Sequence, residues 1–240
     1  NALDCAFWDL EARRRGMPVW KLAGLPEPRP VITAFTIPLD KPPVMAAMAE
    51  ENKGRPLLKL KLGGPDDMER VRAVRSVAPD SEIIVDVNEA WTPVAYAEYG
   101  PELAGLGVRL LEQPLPAGQE AALDSAGRAV PVCADESVHD LSDLAAAADR
   151  YDYVNIKLDK AGGLTETLAM ALAAQERGTG IQLGCMVGTS LGMAPAFFLA
   201  PYATIVDLDG PLLLTSDREP GIQYDDDGTM HPPPPELWGG

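Results

Sequence analysis

The sequence is short of sulfur ligands, of histidine and of positive charge. Three cysteines in 240 residues (Cys5, Cys133 and Cys185), with no CxxC pair, exclude a disulfide framework and a cysteine-rich zinc site. So sparse a thiol set fits a reducing compartment, and the expected location is cytoplasmic. The two histidines, His139 and His231, are poor catalytic candidates: no Ser-His-Asp order accompanies them. A Walker loop and a GxGxxG after a first strand are also missing. Lys and Arg number 20 against 36 Asp and Glu, a net charge of −16 that repels nucleic-acid backbones and anionic membrane surfaces alike. No run is apolar enough to span a bilayer, and no basic segment with an apolar core opens the chain. The first residue is Asn1 rather than Met, as expected of a fragment of a longer protein.

What is present is an apolar fraction of 46%, enough for a sizeable core, distributed as a repeat. Short β-branched runs occupy 31–39, 57–63, 82–89, 108–114, 131–137, 153–158, 180–187 and 204–211, and their starts lie 22 to 27 residues apart. Strand, helix and two short loops fill that interval. The runs are almost continuously apolar, as strands buried on both faces of a parallel sheet are. Helical spacing of apolar residues marks 66–78, 141–150 and 164–177. The expected fold class is therefore α/β, a modified TIM barrel of the (β/α)7β kind. An open doubly wound sheet is the rival, disfavoured by near-equal units.

The ends depart from the repeat. Residues 2–22 read as one helix interrupted near Gly16–Pro18, with Leu3, Phe7, Leu10 and Trp20 as its apolar anchors. The Pro-, Gly- and Asp-rich tail is expected to run over the barrel or pack on a partner domain. The domain reading is a helical linker at 1–24, a catalytic barrel at 25–214 and a tail at 215–240.

Polar residues collect where the strand runs end, the end at which barrel chemistry takes place. Three successive runs each deliver a carboxylate there: Asp86, Glu112 and Asp135. Left bare, three converging carboxylates repel one another. A hard divalent cation resolves this, and an oxygen-only ligand set suits Mg²⁺ better than Zn²⁺. The alternative is a structural ion network with nearby lysines. Lys59 and Lys61 share one face of their strand, and neighbouring ammonium groups make each other better bases. Lys157 arrives from the far side of the acidic strands. Two bases flanking one carbon, with a metal holding the adjacent carboxylate, make a device for removing and returning an α-proton. Gly162-Gly163 could seat an anion at the next helix N-terminus, although such pairs usually only turn the chain.

The set Lys59-x-Lys61, Asp86, Glu112-Gln113-Pro114, Asp135-Glu136-Ser137 and Asn155-Ile156-Lys157 resembles the enolase superfamily, within it the muconate lactonizing enzyme subgroup. The opening Ala2-Leu3-Asp4 to Val19 looks like that family's helix joining capping domain to barrel. Asp207-Leu208-Asp209-Gly210-Pro211 is similar to the Asp-x-Asp signature of dipeptide epimerases. The resemblance implies Mg²⁺ on Asp86, Glu112 and Asp135, and acid/base catalysis by Lys61 and Lys157. It implies substrate contacts from Thr36, Lys59, Met186, Asp207 and Asp209, the last two holding a dipeptide's ammonium group. The implied activity is epimerisation of an L-Ala-D/L-Glu-like dipeptide through an enediolate. Cycloisomerisation, an o-succinylbenzoate synthase-like elimination, or a non-catalytic barrel are the alternatives. Homo-oligomerisation is left open. Two features depart from the family: the N-terminal capping domain is largely absent from this chain, and Val187-Gly188-Thr189-Ser190 lacks the acidic residue many relatives carry there.

Overall fold

A computed structural model describes residues 1–125 and 127–240. The first half of the chain runs α1 (Ala2–Arg15), α2 (Val19–Leu22), β1 (Val31–Ile32), β2 (Phe35–Ile37), α3 (Pro42–Glu51), β3 (Leu57–Lys61), α4 (Asp67–Val77), β4 (Glu82–Asp86), α5 (Pro93–Gly105) and β5 (Val108–Glu112). The second half runs α6 (Ala121–Ser125), β6 (Val132–Ala134), α7 (Leu141–Ala148), β7 (Tyr153–Ile156), α8 (Leu158–Ala161), α9 (Leu164–Arg177), β8 (Gly180–Leu183), α10 (Ser190–Phe197), β9 (Ile205–Val206) and β10 (Thr229–Met230). Strands β2 to β9 follow one another in sequence order in a sheet of eight, with a helical connection at every step. The α/β class and (β/α)7β order expected from the repeat are the ones observed. Among the described residues no helix is long and apolar enough to cross a membrane.

The chain divides into two compact units, with β7 passing from one to the other. One comprises residues 34–138 and 145–154. Its strands are parallel and in close register: Thr36 lies opposite Lys59, Lys61 opposite Asp86, and Asp86 opposite Glu112. That register lines up the polar strand ends in one row. Behind the row, Leu58, Leu60, Ile83, Val85, Leu110 and Leu111 are fully buried. Helix α4 buries Met68, Val71 and Val74, as its spacing predicts. Helix α5 starts on Thr92, whose hydroxyl accepts from the Ala95 amide (3.2 Å), with Pro93 preset for the first turn.

The other unit comprises 1–33, 139–144 and 155–240. Here the run 31–39 divides: only Phe35–Ile37 joins the main sheet, whereas Val31–Ile32 pairs antiparallel with β10. The tail carries the complementary strand, a pairing that periodicity cannot foresee. The helical interruption falls at Gly16, which ends α1 in the left-handed conformation (φ 58°).

The anchors expected on α1 are not its buried face. Leu3, Phe7 and Leu10 are exposed, and Cys5 and Ala12 are buried instead. Directional bonds choose the face. The Asp4 carboxylate accepts from the Thr165 amide (3.0 Å) and hydroxyl (2.6 Å), and the Trp8 indole donates to the same hydroxyl (2.9 Å). Asp4 is thus the anion at the Gly162-Gly163 turn, and it stands so close that any side chain at Gly163 would meet it. The tail closes over α1: Trp238 donates to the Cys5 carbonyl (3.0 Å) and the Gly239 amide to Asp9 (2.7 Å).

Candidate active site

Asp86, Glu112 and Asp135 are all buried, and each offers an oxygen within 4.8 Å of the others'. The register of β4 with β5 places the first two side by side, and the loop after β6 adds the third. The group contains no nitrogen or sulfur ligand. Three buried carboxylates with this spacing fit a hard, oxygen-seeking divalent cation such as Mg²⁺.

The two lysines of β3 meet this cluster differently. Lys59 is buried and bridges two of the acids, its Nζ 3.1 Å from Asp86 Oδ2 and 2.7 Å from Glu112 Oε2. Lys61 is one-third exposed and donates to Asp86 Oδ2 at 2.6 Å and to Asn88 Oδ1 at 3.1 Å. The structural ion network and the cation site are therefore built from the same residues. Burial opposes the charge of Asp86, but the ammonium groups of Lys59 and Lys61 outweigh it and hold the carboxyl below its ordinary range.

Two residues of importance here stand within the sequence motifs but receive no role from the sequence. Gln113, at a left-handed φ of 34°, is buried beside Glu112. Its Oε1 accepts from the backbone amides of Asp135 (2.8 Å) and Ser137 (3.2 Å), and its Nε2 donates to the Leu115 carbonyl, Ser137 Oγ and Tyr151 Oη. Gln113 thereby fixes the loop that presents Asp135. Losing such an outer support costs about 10- to 100-fold in metal affinity, and Gln113→Ala is expected to weaken Mg²⁺ binding by that factor in a calorimetric titration. The second is Glu136, half-buried, whose Oε1 accepts from Asn88 Nδ2 at 3.0 Å. Burial pushes its carboxyl up from the ordinary value, against the opposing pull of that hydrogen bond.

In the other unit, Lys157 follows β7 in extended backbone (φ −127°, ψ 129°) and is buried. Asp207 and Asp209 are buried as well. Leu208, between them, is held from both sides: its amide donates to Thr33 Oγ1 (2.9 Å) and its carbonyl accepts from Tyr224 Oη (2.8 Å). The Asp207 amide continues the sheet ladder to the Leu183 carbonyl (2.8 Å). The two carboxylates are therefore mounted on a rigid segment. Gly210 packs against Met186 and Gly188 so closely that a Cβ there would lie 3.2 Å from the Met186 carbonyl oxygen. Met186 itself is exposed, whereas Thr36, on β2, is buried. The histidines bond to local aspartates, His139 to Asp143 and His231 to Asp225, and neither belongs to the acidic cluster.

The family model described as enolase C-terminal domain-like matches residues 44–234. The L-Ala-D/L-Glu epimerase of Escherichia coli (strain K12) is 47% identical over 226 residues, covering 93% of this chain and 70% of that protein. An N-acetyl-D-glutamate racemase of Pseudoalteromonas sp. is 45% identical over 240 residues, covering 100% of this chain and 76% of that protein. Among solved structures, an enolase family member from Agrobacterium tumefaciens with homology to dipeptide epimerases, with bound sodium and L-Ala-L-Glu, superposes with a TM-score of 0.96 at 52% identity. That match covers 100% of this chain and 73% of the other. A dipeptide epimerase from Enterococcus faecalis V583, complexed with Mg and L-Leu-L-Tyr, gives a TM-score of 0.89 at 30% identity over 96% of this chain and 69% of its own.

Proposed function

The chain belongs to the enolase C-terminal domain-like family, and from that premise we propose that it is an Mg²⁺-dependent dipeptide epimerase, an isomerase acting by 1,1-proton transfer. The observation that carries this reading is Lys61 seated on the Asp86 carboxylate of a buried acidic triad. A base held beside a cation site is what α-proton abstraction requires.

Asp86, Glu112 and Asp135 would hold the Mg²⁺. The ion would supply charge stabilisation to the substrate carboxylate as its α-carbon loses a proton. Lys61 and Lys157 would be the two acid/base residues. The one present as free amine takes the α-proton, and the other, as ammonium, gives a proton to the opposite face, so that the configuration inverts. Lys59, pinned between Asp86 and Glu112, would offer its ammonium to the substrate carboxylate. Thr36 and Met186 would line the substrate. Asp207 and Asp209, on their clamped segment, would pair with the ammonium of an L-Ala-D/L-Glu-like dipeptide. We retain the domain reading of 1–24 as linker, 25–214 as catalytic domain and 215–240 as tail, and the sparse cysteines, with no CxxC pair, support a cytoplasmic location.

The 45%-identical racemase favours a second reading, in which the glutamyl nitrogen carries an acetyl rather than an alanyl group. The two substrates differ by one ammonium. Removing one partner of a desolvated charge pair costs about 2–5 kcal/mol, so Asp209→Asn is expected to lower kcat/KM for L-Ala-L-Glu at least about 30-fold while sparing N-acetylglutamate. Wild-type turnover of N-acetylglutamate above that of L-Ala-L-Glu, with neither lowered in Asp209→Asn, favours the racemase. The activity itself is tested by deuterium wash-in: dipeptides incubated in D₂O with Mg²⁺ should exchange the α-proton of the C-terminal residue, and a panel without exchange counts against the whole assignment.

A further inference from the structure

Lys61, Asn88 and Glu136 form a chain whose middle member has one workable orientation. Asn88 Oδ1 accepts from Lys61 Nζ at 3.1 Å, and Asn88 Nδ2 donates to Glu136 Oε1 at 3.0 Å. A carboxylate on one side demands the amide's NH₂, and an ammonium on the other demands its carbonyl; turning the amide over would lose both bonds. The backbone contributes as well. Asn88 stands in the left-handed region (φ 45°), followed by Glu89 in the same region (φ 66°). Asn is among the residues that tolerate that conformation best.

The loop is pinned on three sides: the Asn88 amide donates to Asp86 Oδ1 (3.0 Å), the Glu89 amide to the Gln113 carbonyl (2.9 Å), and Ala117 donates its amide to Glu89 Oε1 (2.6 Å). Asn88 is exposed, so nothing in core packing requires an amide here. Glu136 faces it with one oxygen, while its Oε2 is buried and without a hydrogen-bond partner among the described residues. A carboxylate with one buried oxygen left unsatisfied is costly to keep, and among the described residues its side-chain partner is Asn88.

We infer that Asn88, oriented by Glu136, is a positioning residue for Lys61. Asp86 also holds the Lys61 ammonium, but a cation on the triad competes for that carboxylate. The Asn88 carbonyl is a neutral contact that such competition leaves in place. It keeps Nζ on one line of approach without fixing its charge, as a group that must alternate between amine and ammonium needs.

This inference rests on the epimerase reading, and its test separates the two. α-Proton exchange is measured in D₂O with Mg²⁺, starting from L-Ala-L-Glu and, separately, from L-Ala-D-Glu, for the wild type and for Lys61→Ala, Asn88→Ala, Glu136→Ala and the Asn88→Ala/Glu136→Ala double variant. Lys61→Ala identifies the epimer whose proton Lys61 removes. Asn88→Ala is expected to slow exchange of that same epimer by about 10- to 100-fold, the cost of a misplaced catalytic group. Exchange of the other epimer should hold within about twofold. Glu136→Ala should show the same asymmetry, and the double variant should fall no further than the worse single one, because the two residues act as a unit. Calorimetric Mg²⁺ titration should be unchanged in the Asn88→Ala and Glu136→Ala variants, whose side chains leave the triad's carboxylates untouched. Equal slowing of both epimers, no slowing, or loss of Mg²⁺ binding overturns the inference. Absence of exchange in the wild type overturns the epimerase reading instead.

Discussion

The Asp86→Asn variant is expected to lose Mg²⁺ binding and proton exchange together. Asp86 is fully buried, is one of the three carboxylates of the cluster, and is the residue on which both Lys59 and Lys61 converge. Amide for carboxylate keeps the volume and removes the charge that a hard cation requires. A ligand that binds only the folded state at a hundred times its Kd stabilises by about 2.7 kcal/mol. For a chain of this size that is a rise in Tm of about 5–10 °C. The wild type should show it on adding Mg²⁺ and Asp86→Asn should not, by differential scanning calorimetry. Exchange should fall by at least about 10³-fold, since the lost charge serves both the cation and the lysine.

The apo protein adds a second readout of the same residue. The Asp86 carboxyl is held below its ordinary value by Lys59 and Lys61 against the cost of burial. Its contribution to stability is therefore complete above the ordinary carboxylate range and is lost as pH falls through the lower folded value. In Asp86→Asn that contribution is gone, and the acid limb of the stability curve should be shallower. A Tm unchanged by Mg²⁺ in the wild type would remove the cation from the site.

The second large effect concerns the two lysines. Lys61→Ala and Lys157→Ala should each abolish interconversion of the epimers, because inversion needs a base on one side and an acid on the other. Each should leave α-proton exchange intact for one epimer and reduce it by about 10²–10⁴-fold for the other, with opposite preference. Mass spectrometry of deuterium incorporation, run from each pure epimer, distinguishes this from a general loss of fold, which slows both. If both variants impair the same epimer, a mechanism with two opposed bases is excluded and the catalytic assignment of Lys157 fails. The conservative Lys→Arg replacements are not expected to rescue either function, since guanidinium does not give up its proton.

How much of this was legible in the sequence differs from residue to residue. The strand–helix repeat was, because burial on both faces leaves a continuous apolar run, and the following amphipathic stretch has its own period. Helix α9 falls at the residues its pattern marks. The acidic triad was legible for a related reason: each member stands at the end of such a run, and in a parallel sheet strand ends align. The register that sets Lys61 opposite Asp86 and Asp86 opposite Glu112 bears that alignment out.

Other features leave no local trace. The pairing of Val31–Ile32 with Thr229–Met230 joins segments nearly the whole chain apart, and two-residue strands have no period to detect. Helix α1 illustrates the same limit: its apolar stripe of Leu3, Phe7 and Leu10 faces outward because Asp4 and Trp8 bond to Thr165. Hydrophobic pattern ranks faces by transfer energy, but it contains nothing about a distant hydroxyl or amide at the right distance.

Residue types and their spacing sufficed for the fold class, the row of strand-end polar residues and the oxygen-only character of the acidic cluster. All three follow from which side chains water rejects and which charges cannot stand together bare, and those are properties of residue types and spacing. Tertiary structure alone decided which partners each polar group found: Gln113 on the Asp135 loop, Thr33 and Tyr224 on the Asp207–Asp209 segment, and Asn88 between Lys61 and Glu136. Hydrogen bonds are directional and short-ranged, so they exist only once the backbone has brought distant residues to within about 3 Å of each other.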